Sequence, residues 1–200
     1  RLSMSKSVSF FPASPRSASS TGSCPSSHAK EDHPTPALEA LRKVADKASY
    51  TRCYCEENVW HLCRQIDDSY AVFVTNTQRR CPVWYQRASR DDDAPCLWDY
   101  HVLLLAKRSY VVDPDTSLDV VSEASTYVRK ALLPALKLPP SFHPHLRVVG
   151  AENFVDTFAS DRRHMRSSGG AWLAPPPKTP PIGRGSNLAK YLDVSDDDHV

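Results

Sequence analysis

Three residues of the 200-residue chain, Cys55, His101 and Asp113, have the types of a thiol catalytic triad. A cysteine attacks as its thiolate, and a neighbouring imidazolium lowers the thiol pKa from about 8.5 towards neutrality. An acid on the second ring nitrogen fixes the tautomer and orientation of such a histidine. We therefore treat Cys55 as the candidate nucleophile, His101 as the candidate acid and base, and Asp113 as the candidate orienting acid.

The cysteines also allow two other interpretations. Cys53, Cys55 and Cys63, with a histidine such as His61, could ligate zinc. Paired zinc ligands are usually separated by two to four intervening residues and come with a second matching pair, whereas a single residue separates Cys53 from Cys55. A Cys53–Cys55 disulfide would be strained and needs an oxidising compartment. No secretory signal precedes the six cysteines, so we expect a reducing compartment and free thiols.

A helix is predicted directly after the candidate nucleophile. Val59, Leu62, Cys63 and Ile66 recur at helical spacing, which places Cys55 at or just before the first turn. The acidic residues 56 and 57 suit the positive end of the helix dipole, and solvation at the surface is their more ordinary role.

Short segments rich in β-branched and aromatic residues predict strands at 71–75, 83–86, 100–106 and 110–112. The gap at 107–109 is short enough for a hairpin, which would bring Asp113 beside the strand that begins near His101. Helical spacing returns at 37–48, at 121–132 and in a short segment from Phe154 to near Asp161. The fold class is therefore α+β, an antiparallel sheet with flanking helices.

Composition divides the chain into two parts. Residues 1–36 are rich in Ser, Pro and Thr and are expected to be a disordered extension; they also resemble a transit peptide, but they show no amphipathic arginine-bearing stripe. Residues 37–200 are expected to form a single catalytic domain. The Gly- and Pro-rich stretch after residue 168 predicts an extended surface path rather than another domain.

Charge and hydropathy exclude several classes of protein. A net charge of +2 gives no broad field for nucleic acid or a membrane surface, and no apolar run approaches the roughly 20 residues needed to cross a bilayer. The six glycines form neither a dinucleotide-binding loop nor a phosphate-binding turn. We expect neither a nucleic-acid nor a membrane partner.

Six blocks of the sequence resemble, in order, the eukaryotic protein N-terminal glutamine amidohydrolases. They are residues 49–60, 71–76, 82–84, 98–102, 113–116 and 158–165. The most distinctive are Cys-Tyr-Cys-Glu-Glu-Asn at 53–58 and Trp-Asp-Tyr-His at 98–101. The similarity extends over roughly residues 49–192.

The resemblance implies a monomeric thiol enzyme with a core like that of the transglutaminase and papain-like folds. Such an enzyme converts an N-terminal glutamine to glutamate with release of ammonia, feeds the arginine branch of the N-degron pathway, and works in the cytoplasm and the nucleus. The family's nucleophile, histidine and acid fall on Cys55, His101 and Asp113. The implied mechanism requires no metal or organic cofactor.

Several questions stay open at the level of sequence. The family's chains ordinarily continue past the position of Val200, so we expect this one to be truncated at its C-terminus. Candidate partners for the substrate amine are Glu56, Glu57 and Asp99, which flank the nucleophile or the histidine. A transglutaminase-like acyl transferase and a non-catalytic reader of N-terminal residues are the alternative functions.

Overall fold

The computed structural model describes residues 9–10, 35–91 and 93–194. The strands are β1 Ser9–Phe10, β2 Ser69–Thr75, β3 Cys81–Val83, β4 Cys96–Trp98, β5 His101–Ala106, β6 Tyr110–Val112, β7 Val121–Glu123 and β8 His145–Gly150. The α-helices are α1 Pro36–Lys47, α2 Cys55–Cys63, α3 Ala124–Tyr127, α4 Ala151–Thr157 and α5 Leu188–Leu192. A π-helical turn, Val128–Leu132, continues α3, and 3₁₀ turns occupy Leu133–Lys137, Pro140–Phe142 and Arg163–Met165.

A five-stranded antiparallel sheet in the order β7-β6-β5-β2-β8 forms the centre of the fold. The hairpin between β5 and β6 turns at Lys107 and Arg108, both with positive φ, as tight hairpin turns require. This confirms the predicted hairpin, and it leaves Asp113 directly after β6, near the start of β5. A smaller sheet in the order β1-β4-β3 lies beside it.

Side chains of β2, which lies between β5 and β8, alternate between two hydrophobic clusters. Ala71 and Phe73 pack with helices α2, α4 and α5, whereas Val72 and Val74 pack with the small sheet and the α3 segment. Because both faces are covered, β2 has an almost continuous apolar sequence rather than an alternating one. The α+β class with flanking helices is therefore confirmed.

The structure differs from the sequence-based prediction at Val121, in the strand predicted at 83–86, and at β4 and β8. Val121 belongs to β7, where it pairs with Val112, so the helix begins only at Ala124. The strand predicted at 83–86 ends at Val83 because Tyr85 has a φ of 53°. Strands β4 and β8 were not predicted, since the first is only three residues long and Arg147 interrupts the apolar pattern of the second.

The predicted extension, residues 1–36, lies almost entirely outside the described residues. Within it, β1 pairs with β4, and the Thr35 side chain accepts a hydrogen bond from the backbone N–H of Leu38 at the start of α1. Among the described helices, none has both the length and the apolar character required to cross a membrane.

Candidate active site

Cys55 occupies the first position of α2, and a rigid loop precedes it. The Asn58 side chain accepts from the backbone N–H of Thr51 and donates to its carbonyl, each at 2.9 Å. Cys53 has a φ of 68°, a strained conformation for a residue other than glycine. Tyr54 is fully buried and donates through its hydroxyl to the carbonyl of Ala174. These contacts fix the position of the Cys55 backbone, and the Cys55 residue is 6% exposed.

His101 and Asp113 meet through the hairpin as predicted. His101 Nε2 lies 3.1 Å from Asp113 Oδ1, and the two side chains are 1% and 0% exposed. The N–H direction does not meet hydrogen-bond geometry, so the contact is best described as an ion pair. Cys55 lies close enough to the same imidazole to help raise its pKa. The structure thus brings the three predicted site residues together.

The surroundings favour the charged forms of this His–Asp pair. Burial opposes a protonated His101, but the negative charge of Asp113 and the contacts with Asp113 and Cys55 raise the His101 pKa well above 6.5. Burial likewise opposes an ionised Asp113, but His101 and the hydrogen bonds from Tyr127 and Gln86 lower the Asp113 pKa. An imidazolium at this position is what a neighbouring thiolate needs.

Three further side chains hold the pair in place. The Tyr127 hydroxyl donates to Asp113 Oδ2 at 2.6 Å, and the Gln86 amide donates to the same oxygen at 3.1 Å. The Trp98 indole N–H donates to the Gln86 carbonyl oxygen at 3.3 Å, and its ring stacks on His101 with centroids 5.8 Å apart. A buried polar network therefore orients both members of the pair.

The residue types allow a metal to be considered at this position. Among the described residues, one candidate cluster has its ligand atoms within 4.8 Å of one another: His101, Asp113 and Asp115. The cluster fits a cation poorly because its oxygens are already hydrogen bonded. Asp113 Oδ1 accepts from the backbone N–H of Asp115, and Asp115 Oδ1 accepts from the Tyr50 hydroxyl at 2.6 Å.

The zinc and disulfide interpretations do not match the geometry. Cys63 ends α2, about 12 Å along the axis from Cys55, and no ligand cluster of the described residues contains the candidates at positions 53, 55, 61 and 63. The five described cysteines are free thiols. Burial raises the pKa of Cys63 to about 12, as expected for an inert core thiol.

The two acidic residues after Cys55 are buried, so the surface-solvation interpretation is wrong. Glu57 accepts two hydrogen bonds from Arg162, at 2.8 Å and 2.7 Å. Arg162, with a φ of 63°, also donates to the carbonyl groups of Pro177, Thr179 and Pro180. This ion pair ties the proline-rich segment to the helix that carries Cys55.

Glu56 is also buried, and it lies beside the nucleophile. Its carboxylate contacts the Cys55 thiol, the Tyr100 hydroxyl and the His164 imidazole. No local sequence pattern assigns a role to Gln86, Tyr127, Arg162 or His164. Only the family resemblance points to positions 162 and 164, because both lie inside the block 158–165.

A cysteine at a helix start, contacted by a histidine that an acid orients, is the arrangement that thiol hydrolases use to activate their nucleophile. Residues 50–200 match the model of the N-terminal glutamine amidase family. The chain is 44% identical to the protein N-terminal glutamine amidohydrolases of Drosophila erecta and Drosophila virilis, and 43% identical to that of Drosophila melanogaster. Each alignment covers 158 residues, 73% of this chain and 77% of the relative. The chain therefore belongs to the N-terminal glutamine amidase family.

Proposed function

We propose that this protein deamidates the side chain of an N-terminal glutamine to glutamate and releases ammonia. Relatives that align with most of the chain are named for this activity. The observation that carries the proposal is the buried His101–Asp113 pair, whose imidazole contacts the thiol at the start of α2. The names of the relatives indicate the substrate, and the His101–Asp113 pair activates the Cys55 thiol that attacks it.

The first step is attack by the Cys55 thiolate on the carboxamide carbon of the substrate. His101 holds the proton taken from the thiol, and the electron pair of the carbonyl bond moves onto oxygen. The backbone N–H of Cys55, in the first turn of α2, is suited to stabilise that oxyanion. When the intermediate collapses, His101 protonates the departing nitrogen, ammonia leaves and a thioester remains.

The second step hydrolyses the thioester. Neutral His101 takes a proton from water, and the hydroxide attacks the same carbon. The C–S bond breaks, Cys55 returns as the thiolate beside protonated His101, and the product carries an N-terminal glutamate. Asp113 stabilises the imidazolium at the start and end of this cycle, and the scheme uses no metal or organic cofactor.

Further features of the family accompany this proposal. A helix that delivers the nucleophile to an antiparallel sheet, with the histidine on β5 and the acid after β6, supports a core of the transglutaminase and papain-like type. We extend the proposal to a monomer in the cytoplasm and nucleus whose product enters the arginine branch of the N-degron pathway. The free thiols suit a reducing compartment.

Mass spectrometry of a Gln-initiated peptide incubated with the protein tests the activity. We expect the mass gain of an amide converted to a carboxylate, together with stoichiometric ammonia. Ammonia release with crosslinking to an added amine would favour the acyl transferase, and binding without turnover would favour the non-catalytic reader. A Cys55→Ala variant serves as the matched control for both measurements.

A further inference from the structure

A second carboxylate lies directly against the candidate nucleophile. The Cys55 thiol donates to Glu56 Oε2 with a sulfur–oxygen distance of 3.5 Å, and the Tyr100 hydroxyl donates to the same oxygen at 3.0 Å. Glu56 is completely buried. The mechanism above does not use this carboxylate, and a buried carboxylate beside a reactive thiol requires an explanation.

The other oxygen of the carboxylate is held from the opposite side. His164 Nε2 lies 3.1 Å from Glu56 Oε1 and 3.5 Å from the Tyr100 hydroxyl. His164 belongs to the 3₁₀ turn Arg163–Met165, and its side chain is 13% exposed. Two residues distant in sequence, Tyr100 and His164, therefore contact the two oxygens of Glu56, and Oε2 also accepts from the thiol.

The carboxylate and the imidazole act on the thiol in opposite directions. A negative charge beside sulfur disfavours the thiolate, whereas the protonated His101 on β5, backed by Asp113, favours it. Tyr100 remains a donor because burial, followed by the charges of Glu56, Cys55 and Asp99, raises its pKa. The titratable side chain on the far side of the carboxylate is His164, and the nearby Arg162 is paired with Glu57.

We propose that Glu56 is a positioning residue: held by Tyr100 and His164, it fixes the Cys55 sulfur beside His101, and its charge counteracts the imidazolium so that the thiolate forms less readily than it would with His101 alone. This inference builds on the proposed function, since it concerns the same nucleophile. In the ionised pair the proton lies on His101, the S–H hydrogen bond to Glu56 is absent, and the sulfur is free to attack. The carboxylate thus restrains ionisation and sets the starting position of the sulfur.

The pH dependence of iodoacetamide inactivation reports the ionisation of the thiol without any substrate. Glu56→Gln preserves the shape and removes the charge, so we expect the midpoint for alkylation to fall by about one unit or more. Turnover of a Gln-initiated peptide should nevertheless fall at least about 10-fold, because the sulfur is no longer held in line. General unfolding would not explain a lower alkylation midpoint combined with slower turnover of the peptide.

Tyr100→Phe provides a second variant with the opposite expectation. It removes a donor from Glu56 Oε2 and keeps the carboxylate, so the midpoint for alkylation should rise. Glu152→Gln is the matched control, an exposed carboxylate on α4, and should change neither measurement. An alkylation profile that is unchanged in folded Glu56→Gln, or shifts in the same direction in both variants, overturns the proposal. If the alkylation shifts are present but neither the wild-type protein nor any variant deamidates the peptide, only the proposed function is overturned.

Discussion

Asp113 Oδ1 approaches His101 Nε2 to 3.1 Å inside the protein, where water does not screen either group. The hairpin between β5 and β6 creates this contact, and Tyr127 and Gln86 occupy the other carboxylate oxygen. The pair is consequently most stable with both groups charged. The stability that the pair contributes therefore depends on pH, in a direction set by the pKa shift of each group.

The pair should be most stabilising between mildly acidic and neutral pH. The His101 pKa is raised above its unfolded value of 6.5, so its contribution is complete below that value and is lost as pH rises through the folded pKa. The Asp113 pKa is lowered below 3.8, so its contribution is present above that value and is lost as pH falls through the folded pKa. Melting temperatures measured across pH should decline on both sides of this window.

Asp113→Asn should remove the charge and keep the shape. Without the carboxylate, the His101 pKa falls, and turnover at neutral pH should decrease about 100-fold or more because the imidazolium is less populated and less well oriented. The alkaline limb of the pH–rate profile should move to lower pH. An unchanged alkaline limb in a folded variant would contradict the role of Asp113.

The two neighbouring cysteines should differ sharply on substitution. Cys55→Ala should abolish nearly all turnover with little change in stability, whereas Cys53→Ala should retain a substantial fraction because alanine can adopt the same strained backbone. Turnover and thermal unfolding of both variants provide the comparison. Equal loss of turnover from the two would instead indicate a shared structural or metal-binding role.

The sequence predicts part of the site through local signals. The short gap at 107–109 predicts a hairpin that brings Asp113 beside the strand of His101, and the helical spacing places Cys55 at a helix start. Only the family resemblance predicts that Cys55 joins the other two. The supporting network was not predictable in the same way. Gln86 follows a residue with positive φ, and an isolated β-bridge to Thr116 places its side chain beside Asp113. No local sequence pattern indicates this tertiary contact.

Tyr127→Phe tests that network. Loss of the 2.6 Å hydrogen bond to a buried carboxylate should cost about 1.5–3 kcal/mol of unfolding free energy. It should also raise the Asp113 pKa, so that stability is lost at a higher pH on the acidic side. Urea unfolding at neutral and acidic pH measures both effects. Tyr110→Phe, which removes a more exposed hydroxyl on β6 that hydrogen bonds with Thr35, is the control.

The Glu57–Arg162 pair should behave as a unit. Removing either charge alone leaves the other buried, so Glu57→Gln and Arg162→Met should each cost about 3–5 kcal/mol. The double variant should lose less than the sum, because no charge remains unpaired. Urea unfolding of the wild-type protein, the two single variants and the double variant completes a double-mutant cycle. Additive losses of unfolding free energy would show that the two residues act independently.

The burial of Glu56 and Glu57 has no signal in the sequence around them. Acidic residues in the first turn of a helix are usually solvated, and only the distant Arg162 and His164 turn Glu57 and Glu56 into internal groups. Contacts separated by more than 100 residues leave no trace in hydrophobic periodicity. This correction also affects substrate binding, because Glu57 already pairs both of its oxygens with Arg162.

Selectivity for the N-terminal position should depend on the free α-ammonium group. Of the three acids that flank the nucleophile or the histidine, Asp99 is the one that remains partly exposed, while Glu56 and Glu57 are buried. Asp99→Asn should therefore raise the KM for Gln-initiated peptides more than it lowers kcat, because it weakens binding of the charged amine. A KM unchanged in this variant would exclude Asp99 as the amine partner.

Substrate variants test the same selectivity without changing the protein. Acetylating the amine or moving glutamine inside the peptide leaves the groups that bind the ammonium unpaired, so both substrates should react negligibly. N-terminal asparagine is one methylene shorter, and a misplacement of about 1 Å relative to the Cys55 sulfur can cost about 100-fold. Ammonia release from the four peptides, measured side by side, gives the ranking. Comparable rates on internal glutamine, accompanied by crosslinked products, would point to the transglutaminase-like alternative.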